Sequence, residues 1–241
     1  MAVVNANGKF FKDLNEEIRG ITDTSIQIYN AMGQRFIAAG SKGKTFTING
    51  VPGNALGAYL NGSLIDVLDN AQDAVGDTMN DGMIIIHGSV GDACGYAMRG
   101  GKIYIRDKAG YRAGIHMKAY KDKQPLIIIG EQAGSFLGEY LAGGTIIVLG
   151  IGMEGRPPVG YFCGTGMHGG KMFLRTDYLP ADLPPQVSYR TATEDDKKEI
   201  SEKISEYCRI FAFDREEIMR HNFFVLTPNS ANPYKQLYAN V

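Results

Sequence analysis

Six glycines at a nearly fixed spacing constrain this 241-residue chain more than any other feature of its sequence. Gly57, Gly76, Gly95, Gly114, Gly138 and Gly164 follow one another at steps of 19, 19, 19, 24 and 26 residues. Three positions after each glycine stands a large apolar residue, in turn Leu60, Met79, Met98, Met117, Leu141 and Met167. A period near twenty marks stacked units, none of which can bury its apolar face alone. Glycine reaches positive φ without steric cost, so glycines in register mark corners where the chain turns. The 31 glycines of the chain are patterned in this way, which sets it apart from collagen and from glycine-rich disorder.

Between the corners the side chains fall into columns. Ile65, Ile84, Ile103, Ile127, Ile146 and Met172 occupy one column, once a charged insertion at about Lys118 to Asp122 is set aside. Two residues on stand Val67, Ile86, Ile105, Ile129, Val148 and Leu174. Residues two apart on a strand share a face, so these columns form one buried ladder on successive parallel strands. The residues between them, Asp66, Ile85, Tyr104, Ile128, Ile147 and Phe173, point to the opposite face, and five of the six are large and apolar. An apolar strip of that extent marks an interface. Ile85, Tyr104, Ile128, Ile147 and Phe173 are therefore candidate interface residues, covered by the C-terminal arm or by another subunit. The expected fold is all-β, a parallel β-helix built as a solenoid of about 19-residue turns, with strands about 4.8 Å apart.

The flanks divide the chain further. Residues 1–20 read as an N-terminal cap with a short helix over Asp13 to Arg19, 21–178 as the repeat domain, and 179–241 as a C-terminal arm. Gly33 to Phe36 reads as a degenerate earlier copy, and Lys118–Gln124 and Gly150–Gly160 as surface insertions. The arm opens on a proline-rich linker. Thr193 then precedes three acidic residues and an apolar series, Ile200, Ile204, Tyr207, Cys208 and Phe211, at helical spacing. Asp214 with Glu217 marks a second, shorter helix, and the segment TPNSANPYKQLYANV is irregular.

Chemistry is sparse along this pattern. A net charge of −1 points to neither nucleic acid nor an anionic membrane. Three scattered cysteines make no disulfide framework, the N-terminus shows no signal pattern, and no apolar run is long enough to span a bilayer, so a cytoplasmic protein is expected. His87, His116, His168 and His221 lack metal-ligand spacing. No nucleophile elbow or phosphate-binding loop is present. Cys94 and Cys163 fall in a small apolar column and read as inert core thiols. Asp66, Asp69, Asp77, Asp81 and Asp92 spread over several corners. No catalytic, cofactor-binding or metal-ligating residue is assigned.

The motifs GDACGYAMRGGKIYI (91–105), GSFLGEYLAGGTIIV (134–148) and GYFCGTGMHGGKMFL (160–174) resemble the GXGXG-repeat domain at the C-terminal end of the glutamate synthase large subunit. The resemblance runs from about Asn30 to Asp177, and a similar repeat occurs in a subunit of formylmethanofuran dehydrogenases. It implies a right-handed β-helix without an active site of its own, while partner subunits carry FMN and iron–sulfur centres. The family's Asn-Thr-Asp-Arg stretch is replaced here by Asn30-Ala31-Met32-Gly33. No cofactor is expected on this chain. A freestanding scaffold subunit of a split glutamate synthase or N-methylglutamate synthase type is expected, and the NPYKQLY tail suits that class. Its partners would be glutaminase (amidotransferase) and FMN-dependent synthase subunits, with a homo-oligomer in their absence. The alternatives are a scaffold of a formylmethanofuran dehydrogenase-like complex and a β-helix enzyme such as an acyltransferase. Against the last, acyltransferase turns total eighteen residues and follow a different glycine grammar.

Overall fold

A computed structural model describes residues 1–229, so the tail motif NPYKQLY lies outside the described residues. Nine strands lie side by side in chain order and parallel: β1 (Ala2–Asn5), β2 (Ser25–Met32), β3 (Thr45–Val51), β4 (Asn61–Val67), β5 (Asp81–Ile86), β6 (Lys102–Ile105), β7 (Leu126–Ile129), β8 (Ala142–Val148) and β9 (Gly169–Arg175). The last two, β10 (Val187–Thr191) and β11 (Phe223–Pro228), form an antiparallel pair, and β11 also runs antiparallel to β9. Among the described residues there are three helices: α1 (Phe11–Gly20), α2 (Glu194–Phe211) and α3 (Arg215–Arg220).

This arrangement corrects the expected class. In place of an all-β parallel β-helix solenoid, the described residues form a single eleven-stranded mixed sheet, mostly parallel, with helices, which is an α/β arrangement. The glycine period carries no information about β10, β11 and α2, and those elements make the sheet mixed and add the helical layer. What the period does specify is register. Ile65 pairs with Ile84, Ile84 with Ile103, Ile103 with Ile127, Ile127 with Ile146 and Ile146 with Met172. Outside the strands, single parallel bridges join Ala71 to Val90, Val90 to Ala109, Ala109 to Ala133 and Ala133 to Val159.

The charged insertion before β7 leaves this register intact. It closes on itself through an antiparallel bridge between Tyr120 and Lys123, and the Lys123 ammonium reaches Asp81 at 2.7 Å.

All six repeat glycines have positive φ, and each faces a side chain of the buried column. A Cβ at Gly76, Gly95 or Gly114 would lie 2.5 Å from Cδ1 of Ile103, Ile127 or Ile146 respectively. The corner is therefore both a turn and a packing surface. Left-handed backbone also recurs two residues before and two after each glycine, as at Ala93 and Ala97 around Gly95. The same triplet at Phe36, Ala38 and Gly40 shifts the degenerate copy, which centres on Ala38 rather than on Gly33. The first glycines of Gly91-x-x-x-Gly95 and Gly110-x-x-x-Gly114 have a different cause. A Cβ there would lie 2.0 and 2.3 Å from Oδ1 of Asp73 and Asp92, carboxylates that accept hydrogen bonds from the amides of Asp92 and Tyr111. The second copy carries Gln72 at that position.

Two cores lie on opposite faces of the sheet. One holds the isoleucine column together with the corner residues Leu56, Met79, Cys94, Met98, Met117 and Leu137, all fully buried. The other lies under α2. That helix starts where the sequence places it: Thr193 and Asp196 make a capping box, and the Arg190 guanidinium grips the same carboxylate. Its 18 residues end at Phe211, and the C-cap Ala212 takes a left-handed conformation. α1 buries Leu14 and Ile18 against the first strands, and Asn15 donates hydrogen bonds to the carbonyls of Phe11 and Arg35.

Candidate interaction surface

The five candidate interface residues line up across β5 to β9, with Ile85 opposite Tyr104, Tyr104 opposite Ile128, Ile128 opposite Ile147 and Ile147 opposite Phe173. The structure places all of them beneath α2. Ile85 is 7% exposed and the other four are fully buried, in one cluster with Ile200, Ile204, Tyr207, Cys208 and Phe211. Removing each such side chain from water contributes about 1.5–3 kcal/mol, so this seam fixes the arm firmly.

Polar groups set the helix's position along the seam. The Tyr207 hydroxyl donates to the carbonyl of Ile105 at 3.0 Å, and its ring meets Tyr104 edge-on at 5.9 Å. The Tyr104 hydroxyl donates to Glu206 at 2.8 Å, and the Lys102 ammonium reaches the same carboxylate at 2.6 Å. Burial, then the Glu206 carboxylate, pushes the Tyr104 phenol far up. Burial also raises the Glu206 carboxyl, but the hydrogen bonds from Lys102 and Tyr104 outweigh it and leave the group below its usual range. The sixth member of the column, Asp66, pairs with His87 at 2.9 Å, and the His87 ring packs edge-on against Phe211 near the end of the helix.

With that face covered, a run of exposed aromatic side chains remains on the glycine corners, among them Tyr59, Tyr96, Tyr111, Tyr161 and Phe162. His116 stacks on Tyr140 with ring centroids 5.0 Å apart, and Tyr96 meets His116 edge-on. Beside them Arg112 lies over the Phe136 ring, and Phe136 stacks on Phe162 at 5.1 Å. Tyr111 and Tyr161 stand at the position just before Arg112 and Phe162 and are 54% and 69% exposed. The ridge continues into a groove of about 460 Å³ that includes Tyr111, Tyr161, Arg156, Pro157 and Pro180 in its wall.

Sequence reading missed this surface. Its stacked residues Arg112, His116, Phe136, Tyr140 and Phe162 occupy the positions two before or two after the repeat glycine, where the side chains are chemically unlike and only the backbone conformation is shared, and Tyr96, Tyr111 and Tyr161 flank them. A large aromatic at a left-handed, non-glycine position is the signal that could have found it, because such backbone is uncommon outside glycine.

Exposed aromatic edges with a few charges, backed by rigid neighbours, suit protein docking. Among the described residues, no group of three or more His, Cys, Asp or Glu side chains could hold a metal ion. Burial pushes the thiols of Cys94 and Cys163 up to about 12, in keeping with core packing. No helix of the described residues is long and apolar enough to cross a membrane.

Two comparisons bear on identity. An uncharacterized protein of Methanocaldococcus jannaschii is 43% identical over 249 residues, covering 98% of this chain and 95% of that relative. The family model described as GXGXG motif matches residues 17–229, which take in the whole run of corners, the sheet from β2 onward and the α2 arm. The chain therefore belongs to the GXGXG motif family, which is associated with the C-terminal part of the glutamate synthase large subunit.

Proposed function

We propose that this protein is a scaffold subunit of a glutamate synthase-type complex, in which glutamine amide nitrogen is passed to 2-oxoglutarate on partner subunits. In this reading the chain carries no active site. A glutaminase subunit and an FMN- and iron–sulfur-containing synthase subunit do the chemistry, and this chain holds them together in the cytoplasm.

The observation that carries the reading is the aromatic corner ridge from Tyr96 to Phe162, stacked ring on ring and exposed in part, on a chain almost wholly spanned by the family domain. A ridge of this kind supplies the apolar centre of a protein interface, and Arg112, Glu139 and Arg156 supply polar rim contacts. In the absence of partners the same ridge, with the open edge of β1, favours self-association.

Reconstitution tests the proposal. Glutamate formation by the partner subunits should rise when this chain is added, while the chain alone turns over neither glutamine nor 2-oxoglutarate. Turnover by the chain alone would overturn the reading.

A further inference from the structure

Where β9 ends and β11 begins, the loop after Gly150 arches over a cavity of about 240 Å³. A second cavity of about 190 Å³ adjoins it and shares Glu154, Arg175 and His221 in its wall. Arg175 lies at the junction, partly buried, and donates through Nε to the carbonyl of Leu149 and through Nη2 to that of Gly150 at 3.1 Å. Both partners are neutral carbonyls, and the guanidinium enters no ion pair among the described residues.

Carboxylates stand nearby without closing on it. Asp177 accepts a hydrogen bond from Asn222 at 2.6 Å, and Glu217 is engaged by Arg220 and His221. Glu154, an exposed residue on the rim, makes no hydrogen bond or ion pair among the described residues. The cavity thus offers a cation and, on its rim, a carboxylate whose field acts on Arg175 without forming a hydrogen bond or ion pair to it. A simple anion entering it would meet Glu154 and Asp177, and a simple cation would meet Arg175. A ligand carrying both charges a few atoms apart satisfies both, with its carboxylate on the guanidinium and its ammonium on Glu154. Dry apolar lining is scarce, since Met153 is the one large aliphatic side chain in the wall, so the selection rests on charge.

We infer that this cavity binds a small α-amino acid, held by Arg175 at its carboxylate and by Glu154 at its ammonium group. The site shares only Met153 with the groove at the end of the aromatic ridge and does not depend on the scaffold reading.

Titration calorimetry on the full chain tests it, with glycine, L-glutamate and L-glutamine as zwitterionic probes and acetate and methylammonium as half-ligands. At least one zwitterion should bind saturably, with each half-ligand at least about tenfold weaker, because it forgoes one charge-assisted contact. Glu154→Gln, a rim substitution that removes no internal bond, should weaken binding by about tenfold while the melting temperature stays unchanged. Arg175→Lys should weaken it as well, because the point charge cannot hold both carbonyls and the ligand. Three results would overturn the inference: no saturable binding of any zwitterion up to about 10 mM, acetate binding as tightly as glycine, or Glu154→Gln leaving the affinity intact.

Discussion

The α-carbon of Gly95 faces the side chain of Ile127 so closely that a Cβ at Gly95 would lie 2.5 Å from Ile127 Cδ1. The repeat glycine and the isoleucine of the strand one full corner later are thus two halves of one packing contact, and Gly95 also holds φ at +69°. Gly95→Ala introduces both overpacking and left-handed strain, with an expected cost of about 2–4 kcal/mol in urea unfolding. Adding Ile127→Val removes the clashing methyl group, so the double variant should be more stable than the sum of the single effects requires. Gly20→Ala, where a Cβ meets nothing within 4 Å and φ is not positive, should be close to neutral.

The seam beneath α2 should behave as part of the core. Phe173→Ala is expected to cost about 3–5 kcal/mol. Tyr207→Phe keeps the ring and removes only the hydroxyl that donates to the Ile105 carbonyl, for about 1 kcal/mol. Ile204→Asn places an amide in the apolar cluster that also holds Ile128 and should loosen the arm, which increased binding of a hydrophobic dye would report.

Acid should act through the helix cap. Hydrogen bonds from Arg190 first, then from Thr193, hold the Asp196 carboxyl well below the usual carboxylate range despite its burial. Its folded pKa lies below the unfolded value of about 3.9, so its contribution is fully present above that pH and is lost as pH falls toward the folded value. Asp196→Asn should therefore lower stability at neutral pH and flatten the decline seen below about pH 4. Thr193→Ala should cost about 1 kcal/mol through the lost cap, measured at pH 7 where the carboxylate is charged.

Much of the buried pattern is legible in the sequence because two short-range rules coincide. Residues two apart share a strand face, and the glycine step sets which residues stand opposite, so the column from Ile65 to Met172 follows from those two rules alone. Thr193 with Asp196 likewise announces α2 locally. The fold class is not legible in this way. The antiparallel pairing of Leu226 with Met172 and of Phe223 with Arg175 joins segments about fifty residues apart that share no period, and those pairings turn a parallel array into a mixed sheet with a helical layer. The column of Ile85, Tyr104, Ile128, Ile147 and Phe173 stands out as apolar, yet two occupants fit it on sequence grounds, and α2 is the one found there. The aromatic ridge escapes because its stacked members Arg112, His116, Phe136, Tyr140 and Phe162 share a backbone conformation rather than a side-chain type.

The scaffold account is tested most directly by purifying the tagged chain from its native host by size exclusion, alongside a Tyr161→Ser, Phe162→Asn variant. Both substitutions lie on the exposed ridge, and asparagine tolerates the left-handed backbone at 162, where φ is +58°. The wild-type chain is predicted to elute in a heteromer with a glutaminase and a flavin-bearing synthase subunit, and the variant to elute without them at an unchanged melting temperature. A wild-type chain that elutes without such subunits, or a variant that retains them, would contradict the account.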